Sequence, residues 1–553
     1  MPAIHYADQP YVVKAADGAW VMVVTTGAGL EGAAGQHVLS ARSTDGGQTW
    51  QCVPVEDPAG PESSYAVLYR TEYGRIYCFY NHNTDNVRSV TARTGLVFSR
   101  VDSLGHFVFR YSDDHGKTWS EKRWDIPIRP FRVDREVNPT GGSIPFFWNV
   151  GKPLRTGEGV CVPLYKIGDV DPAWYDTEGV LLLCRNLETE RDPEKLTWET
   201  LPEGEDGIRA DRARYGHVSE EHSYIRLSDG TVMVVFRTVT GHPFCAYSTD
   251  EGHHFTRPEP LCYRDGSRVG NPRAANFLWK CENGRYLYWH HNHAGRDYEA
   301  RNPAFLSGGV EVDTAQGKRL ALGEAEVVLY DPDPFIRISY PDLWEDGGAY
   351  YLSETQKEKA RFHRLDEGLL RELWADAAGE TRSERGEKLG DVLPVLPPFA
   401  CHSHSFDAHK EELPTFFALS FVFTQDGTAR VLADAMARGA GLRLYTDGTR
   451  VTFYMSDAFC RFTLSTPPLS SGQHRVAVLV DGGAHIVRFV LDGAAVRCTE
   501  EEPTPFGRFD RDFGGVVLGQ SLRRSADVQE MRLYRERVTA PRMAMMQRGE
   551  MSL

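Results

Sequence analysis

The sequence predicts an all-β protein, a six-bladed β-propeller followed by a C-terminal β-sandwich of the jelly-roll type. Three observations support this prediction. The 553 residues include 52 Gly and 31 Pro, which favour tight turns, and 24 Tyr, 27 Phe and 11 Trp, which fill half-buried strand surfaces. Two apolar runs joined by a glycine turn occur six times before residue 375. Strands separated by Asp-Gly turns resume after residue 400.

Six hairpins form the first repeat of the sequence. Their turns contain Gly18, Gly74, Gly159, Gly230, Gly284 and Gly347. The spacing between them is irregular, which is typical of a four-stranded unit with variable loops rather than of a rigid solenoid. Six such units predict six blades.

A second repeat has the pattern Ser-x-Asp-x-Gly-x-Thr-Trp. Three good copies and one degenerate copy occur, at Ser43–Trp50, Ser112–Trp119, Ser248–Phe255 and Arg191–Trp198. The Ser and Asp side chains can accept hydrogen bonds from backbone amides of the turn, and glycine supplies its left-handed residue. This motif is the Asp box, and residues 1–375 resemble the sialidase superfamily of β-propellers. Asp boxes lie at blade edges, so they predict the fold and not the chemistry.

The inner strands of a propeller end at a common face, and here those ends are polar, as a ligand site requires. Three of the segments resemble sialidase catalytic segments: Glu221–Arg237, Arg301–Gly309 and Tyr340–Glu354. The resemblance implies that Tyr340 is a nucleophile and that Glu221 accepts its proton. It also implies that Arg237 and Arg301 bind an anionic group and that Glu354 orients an arginine.

These residue types are chemically consistent with a glycosidase reaction. A tyrosine at its ordinary pKa is a poor nucleophile, so a neighbouring carboxylate must take its proton. A phenol also suits an anomeric carbon whose own carboxylate would repel Asp or Glu. Arginines offer forked donors that match a carboxylate. We therefore expect a carbohydrate substrate and a retaining exo-glycosidase that cleaves a terminal acidic sugar, such as sialic acid.

The first strand departs from the sialidase pattern. Sialidases carry an arginine where this chain reads Tyr6–Pro10, and Asp8 occupies or adjoins its place. An aspartate there would repel an anionic substrate by about a few kcal/mol in a partly buried site. Either Asp8 points away and Arg273 or Arg135 substitutes, or the substrate is not an ordinary sialic acid.

The family also places an acid/base on the loop that follows the first hairpin. Glu31 is the one acid between residues 27 and 40, so it is the candidate proton donor, and Asp134 is the second candidate. Both also fit a solvated loop.

The other candidate residues have structural interpretations too. Tyr340 could cap a strand, Glu221 could be solvated beside Glu220, and the arginines could bridge blades. Two further functions stay open. One is a polysaccharide lyase or another glycosidase acting on uronic-acid glycans, in which Tyr340 and His291 move a proton. The other is a glycan-binding propeller without catalysis.

Composition argues against several other classes. A net charge of −15 disfavours a nucleic-acid partner. The sequence contains no apolar run long enough to span a membrane and no signal-peptide pattern, which predicts a cytoplasmic protein. The cysteines form no CxxC pairs, and His290, His291 and His293 lack the partners of a metal site, so we expect neither metal nor cofactor, and His291 is expected to line the pocket.

The pattern changes after Glu354. Asp366–Trp374 predicts a short amphipathic helix, residues 376–400 a charged linker, and residues 401–548 a sandwich that resembles laminin-G or concanavalin-like domains. This second domain contains no catalytic motif. We expect it to pack on the propeller or on a partner subunit, which makes a homo-oligomer formed through the sandwich one hypothesis.

Overall fold

The computed structural model describes residues 5–172, 174–297, 300–380, 382–383, 387–388, 416–514, 522–534 and 537–552. Strands make up 45% of the protein and helices 7%, which confirms the all-β class. Most of the predicted linker 376–400, and residues 401–415 of the predicted second domain, lie outside the described residues. The domain boundaries therefore stay predictions.

Six antiparallel sheets, named sheets 1 to 6, follow one another along the first 364 residues. Their strands are Tyr6–Lys14, Trp20–Gly27, His37–Ser43 and Gln51–Pro54 in sheet 1; Ser63–Arg70, Ile76–His82, His106–Ser112 and Trp124–Asp125 in sheet 2; Phe146–Trp148, Leu154–Arg155, Val160–Asp169, Tyr175–Cys184 and Trp198–Leu201 in sheet 3; Glu220–Arg226, Val232–Arg237, Phe244–Ser248 and Glu259–Pro260 in sheet 4; Phe277–Lys280, Tyr286–His290, Ala304–Thr314 and Gly317–Leu329 in sheet 5; and Ser339–Asp346, Ala349–Thr355 and Ala360–Arg364 in sheet 6. A small hairpin, Val90–Thr91 with Val97–Phe98, adjoins sheet 2 in the sequence.

All six predicted hairpins are present. Each turn glycine has a positive φ, between 59° and 151°, which residues with a side chain adopt only with strain. Sheet 3 differs from the prediction in one respect, because its first strand is broken between Trp148 and Leu154 and the sheet has five strands.

Consecutive sheets contact one another. The hydrogen bonds that join them include Tyr65 N to Thr25 Oγ1 at 2.9 Å, Asn81 Nδ2 to Phe147 O at 2.8 Å, Leu278 N to Ser223 Oγ at 3.1 Å and Glu282 N to Glu345 Oε1 at 2.7 Å. Sheets 3 and 4 share an apolar cluster that includes Leu181 and Val234. Sheet 6 contacts sheet 1, since Val12 N donates to Asp342 Oδ2 at 2.8 Å. The sixth sheet thus contacts the first.

The three well-kept Asp boxes have the hydrogen bonds that the sequence predicts. In the second box, Gly116 N donates to Ser112 Oγ at 2.8 Å and Thr118 N donates to Asp114 Oδ1 at 2.9 Å. The boxes at Ser43 and Ser248 repeat both contacts. The degenerate copy lacks the serine, and there Asn186 Oδ1 accepts from Thr197 N at 3.0 Å instead.

Two larger sheets and two helices follow sheet 6. Sheet 7 contains Glu387–Lys388, Phe416–Gln425, Gly472–Asp481, Ile486–Leu491, Ala494–Ala495, Phe506–Arg508 and Gln529–Tyr534, and sheet 8 contains Arg430–Asp434, Ala440–Thr446, Val451–Asp457, Arg461–Ser465 and Arg523–Arg524. Apolar side chains of both sheets form one buried cluster. Arg382–Ser383 pairs in parallel with Met551–Ser552.

The helices are short. They are Val133–Val137, Pro193–Lys195, Arg212–Tyr215, Glu367–Ala378 and Ala540–Arg548. Glu367–Ala378 confirms the helix predicted after sheet 6, and Asp366 caps it by accepting from Gly368 N at 2.6 Å. In the part of the chain that the structure describes, no helix has the length and apolar character needed to cross a bilayer.

Sheet 7 packs on the long hairpin of sheet 5. Arg488 Nη2 contacts both carboxylate oxygens of Glu326, at 2.6 and 2.8 Å, and Arg497 pairs with Glu324. The rings of Phe305 and Phe506 lie 5.7 Å apart within a buried apolar cluster. Sheet 7 therefore packs directly on sheet 5 within this chain.

The Asp-box glycines offer a matched pair of substitutions. Gly116 has φ +81°, and a Cβ atom placed there would lie 2.7 Å from Val21, so we expect Gly116→Ala to lower the free energy of unfolding by about 2–4 kcal/mol. Gly46 has φ +69° but open space around such an atom, so Gly46→Ala should cost only about 1 kcal/mol. Thermal and urea unfolding measure both. Equal effects would contradict the packing argument.

Candidate active site

A cavity of about 280 Å³ lies among residues at strand ends and in the connections of sheets 1 to 6. Ten residues line it: Glu31, Arg100, Trp148, Trp174, Arg237, Arg273, Arg301, Arg337, Tyr340 and Lys357. Five of them are sequence-predicted site residues. Six of the ten are cationic and one is acidic, so the cavity favours an anionic ligand.

Tyr340 and Glu221 are in direct contact. The Tyr340 hydroxyl donates to Glu221 Oε1 at 2.6 Å, with 7% of Tyr340 and none of Glu221 exposed. Burial raises the pKa of Tyr340 well above its ordinary value, and the negative charge of Glu221 adds to this effect. Burial also raises the pKa of Glu221, although Arg237 and Arg301 oppose the shift. The raised pKa makes Glu221 a better base for the phenolic proton.

An unusual backbone conformation aims these side chains. Glu221 and Tyr340 have φ of +56° and +46°, and each sits at a β-bulge near the start of its strand. Gln9 and Tyr65 take the same conformation at the corresponding bulges of sheets 1 and 2, with φ of +53° and +55°. Non-glycine residues adopt this region only at a cost of about 1–3 kcal/mol each. Four strained positions at matching places turn four side chains out of the regular strand alternation.

Two arginines of the cavity are compensated by buried carboxylates. Glu220 accepts from Arg237 Nε at 2.8 Å and from Arg273 Nη2 at 2.8 Å, and Arg237 Nη1 lies 2.7 Å from Glu221 Oε2. Burial by itself raises the pKa of Glu220, but the two arginines outweigh it and lower the pKa below its ordinary value. Glu220 is therefore a positioning residue for the arginines, while its neighbour Glu221 faces the tyrosine.

Arg301 also lies near Tyr340. Its Nη1 donates to Ser339 Oγ at 3.1 Å, and its guanidinium carbon lies 5.9 Å from the centre of the Tyr340 ring. The Arg301 Nε atom is buried and has no hydrogen-bond partner within the described residues. Arg301 therefore retains donor capacity next to the candidate nucleophile.

Glu31 lies in the cavity between two cations. Its carboxylate contacts Arg100 Nη2 at 2.8 Å and Lys357 Nζ at 3.0 Å. Burial raises the pKa of Glu31, but Lys357 and Arg100 together lower it well below its ordinary value. Glu31 is consequently ionised in the empty cavity, so donating a proton requires its pKa to rise when the substrate binds.

Asp8 does not line the cavity. It is fully buried, accepts from the Tyr6 hydroxyl at 2.7 Å and pairs with Lys357 Nζ at 2.8 Å. The repulsion expected from an aspartate in the first strand is thus compensated by a lysine of sheet 6 that sequence reasoning did not single out.

Four other sequence candidates are not among the described lining residues. Glu354 does contact an arginine, as expected, but its partners are Arg361 and His363 on the neighbouring strand, and neither of them lines the cavity. His291, expected to line the pocket, is absent from the described lining residues, because its Nδ1 faces the Pro303 carbonyl at 3.2 Å and its ring stands edge-on to Trp289. Asp134 pairs with Lys166, and Arg135 pairs with Glu205, so neither takes the part considered for it.

Five lining residues were missed by the sequence reasoning: Arg100, Trp148, Trp174, Arg337 and Lys357. The two tryptophan rings are 4.7 Å apart and perpendicular, and Arg100 lies over both. Arg337 precedes the Tyr340 strand in sequence and Lys357 follows the next strand, so nearness to a predicted site residue was the one available signal.

Comparisons with known proteins agree with the Asp-box repeats. The family model described as BNR/Asp-box repeat matches residues 110–121. No curated protein matches the chain in a sequence comparison. Solved structures similar to this chain include a Trypanosoma rangeli sialidase with 2,3-difluorosialic acid (11% identity, 98% of this chain and 93% of that chain covered, TM-score 0.46) and the Ruminococcus gnavus intramolecular trans-sialidase with oseltamivir carboxylate (14%, 66% and 95%, 0.45). A Dyadobacter fermentans protein of unknown function matches at 17% identity, over 65% of this chain and 93% of that chain, with a TM-score of 0.44. Similarity at this level does not determine the function of this chain.

The arginine–glutamate network predicts a pH-dependent stability. Glu220→Gln should lower the free energy of unfolding near pH 7 by about 3 kcal/mol, because two buried guanidinium groups lose their counter-charge. Since the pKa of Glu220 is lowered in the folded protein, its contribution is present above the ordinary glutamate pKa of about 4.3 and is lost as pH falls.

Urea unfolding of both proteins at several pH values measures the difference, which should shrink below about pH 4. The exposed Glu121→Gln serves as control. A difference that stays constant from neutral to acidic pH would contradict the assignment.

Proposed function

We propose that this protein is a glycoside hydrolase that removes a terminal acidic sugar, with Tyr340 as the nucleophile and Glu221 as its base. The observation that carries the proposal is the 2.6 Å hydrogen bond from the Tyr340 hydroxyl to Glu221 in a cavity lined by six cations. This pair differs from the buried Tyr6–Asp8 pair because Arg301, which has an unpaired Nε donor, lies beside the tyrosine.

The six sheets are, in this proposal, the blades of a closed propeller, and sheets 7 and 8 form the predicted sandwich. Hydrogen bonds or apolar contacts between consecutive sheets, and the bond from Val12 N to Asp342, support ring closure. Closure explains why residues as distant in sequence as Glu31, Arg237 and Tyr340 line one cavity.

The first chemical step forms one bond and breaks one. The Tyr340 oxygen attacks the anomeric carbon while its proton passes to Glu221 Oε1, and the glycosidic C–O bond breaks. The departing oxygen receives a proton from Glu31. Water then attacks the covalent intermediate with Glu31 as base, and Tyr340 recovers its proton from Glu221. Two displacements at one carbon retain its configuration.

Glu31 becomes a proton donor once the substrate is bound. Lys357 and Arg100 keep it ionised in the empty cavity. A substrate carboxylate shares the positive field of these cations and adds its own negative charge, and both effects raise the pKa of Glu31. Substrate binding thus converts Glu31 into the acid that protonates the leaving group.

The cavity favours acidic sugars over neutral ones. The negative charges of Glu220 and Glu221 offset the charges of two arginines. Those of Asp8 and Glu31 offset the charges of Lys357 and Arg100. Arg301 retains an unpaired Nε donor next to Tyr340. An anionic group beside the anomeric carbon fits that donor. The uronic-acid lyase alternative needed His291 in the cavity, and no observation supports it.

The nucleophile is tested by removing a single hydroxyl. Tyr340→Phe and Glu221→Gln should each lower kcat/KM for 4-methylumbelliferyl N-acetylneuraminate by about 10²–10⁴-fold, because each removes one partner of the proton transfer. The matched control is Tyr445→Phe, whose hydroxyl lies in sheet 8.

Full activity in Tyr340→Phe would exclude the phenol as nucleophile. A wild-type protein that releases no sugar from sialosides but generates a new double bond from uronic-acid glycans would replace the hydrolase with a lyase.

The acid is tested with two leaving groups. Glu31→Gln should lower kcat/KM for a sialyl-lactose by about 10²–10⁴-fold, because a sugar alkoxide leaves only when protonated. The same variant should lose far less activity on the umbelliferyl substrate, whose phenolate leaves unaided. Steady-state kinetics on both substrates measure the contrast, and equal losses would contradict the role of Glu31 as acid.

A further inference from the structure

Lys357 occupies a backbone conformation that a lysine rarely adopts. Its φ is +71°, in the left-handed region. Three contacts hold it there: Lys357 N donates to Thr355 Oγ1 at 2.8 Å, Ala7 N donates to Lys357 O at 2.7 Å, and the Thr355 hydroxyl donates to Ala7 O. Strain of this kind persists where the surrounding structure imposes it, and it is common at ligand sites.

This conformation sends the lysine side chain into the cavity. Its Nζ lies 4.6 Å from the centre of the Tyr340 ring, and Arg301 lies 5.9 Å from the same centre. Lys357 and Arg301 therefore both lie near the candidate nucleophile. An anion bound by the two cations would lie in the part of the cavity next to Tyr340.

The ammonium group has a donor to spare. A lysine carries three N–H donors, and two carboxylates, Asp8 at 2.8 Å and Glu31 at 3.0 Å, account for two of them. Asp8 is itself held by the Tyr6 hydroxyl and by Gln9 N at 3.1 Å, so it fixes the ammonium from behind. The remaining donor is available to a ligand.

We propose that Lys357 is a specificity-determining residue that binds the carboxylate of the substrate together with Arg301, and that Asp8 is its positioning residue. The inference rests on the proposed function and deepens it, since it assigns the anion-binding role on the sheet 1 side of the cavity to a lysine of sheet 6. Asp8, which would repel a substrate carboxylate by itself, instead fixes the cation that attracts it.

The substrate class follows from this geometry. An anionic group bound by Lys357 and Arg301 would lie near the Tyr340 ring, so the proposal places that group close to the attacked carbon. The inference selects sugars whose anomeric carbon bears a carboxylate over uronic acids, whose carboxylate is remote from the anomeric carbon.

The test compares an acid with its ester. Isothermal titration measures the dissociation constants of 2-deoxy-2,3-didehydro-N-acetylneuraminic acid and of its methyl ester, and their ratio is the acid preference. The proteins are wild type, Lys357→Gln, Lys357→Arg and the exposed control Lys359→Gln. Because Lys357→Gln leaves Asp8 buried without its cation, the double variant Asp8→Asn with Lys357→Gln is included to keep the fold.

We expect the acid preference to fall at least about tenfold in Lys357→Gln and in the double variant, to persist in Lys357→Arg, and to be unchanged in Lys359→Gln. A wild-type preference in the double variant would overturn the role of Lys357 and leave the proposed function intact. A wild-type protein that binds acid and ester equally, or binds neither, would overturn the proposed function and this inference with it.

Discussion

The cavity depends on the pairing of buried charges. Arg237 and Arg273 lie close together and away from water, which is possible because Glu220 accepts from both. Glu221 contacts Arg237 through one oxygen and the Tyr340 hydroxyl through the other. A carboxylate shared in this way is held in place by the cation and still directed at the phenol. Removing Glu220 would leave two buried guanidinium groups without the carboxylate that they share.

A second group of charged residues in and beside the cavity is paired in the same way. Lys357 neutralises Asp8 and contacts Glu31, and Arg100 contacts both Glu31 and Asp102. These charges are paired with one another, as are those around Glu220 and Glu221. The candidate acid and the candidate base have different charged partners, and their pKa values are shifted in opposite directions: that of Glu31 is lowered and that of Glu221 is raised.

Backbone strain adds to the precision of the site and requires a stiff surrounding structure. The left-handed residues at the bulges of sheets 1, 2, 4 and 6, and Lys357 beside them, are held by neighbouring sheets. Sheet 7 contributes as well, since Arg508 Nη2 donates at 2.8 Å to the carbonyl of Asn302, the residue after Arg301. Sheet 7 therefore touches the loop that carries Arg301.

The sequence alone determined the local features, namely the all-β class, the six glycine hairpins and the Asp-box turns, because each depends on neighbours a few residues apart. The resemblance of three segments to sialidase segments supplied Tyr340, Glu221, Arg237 and Arg301 as candidates. Tertiary structure decided which side chains share a cavity. It placed Lys357 beside Asp8 and left His291 and Glu354 out of the residues that line the cavity. It also determined which of Glu220 and Glu221 faces the tyrosine. Those outcomes depend on bulges with positive φ and on contacts between sheets hundreds of residues apart, and no short-range pattern encodes either.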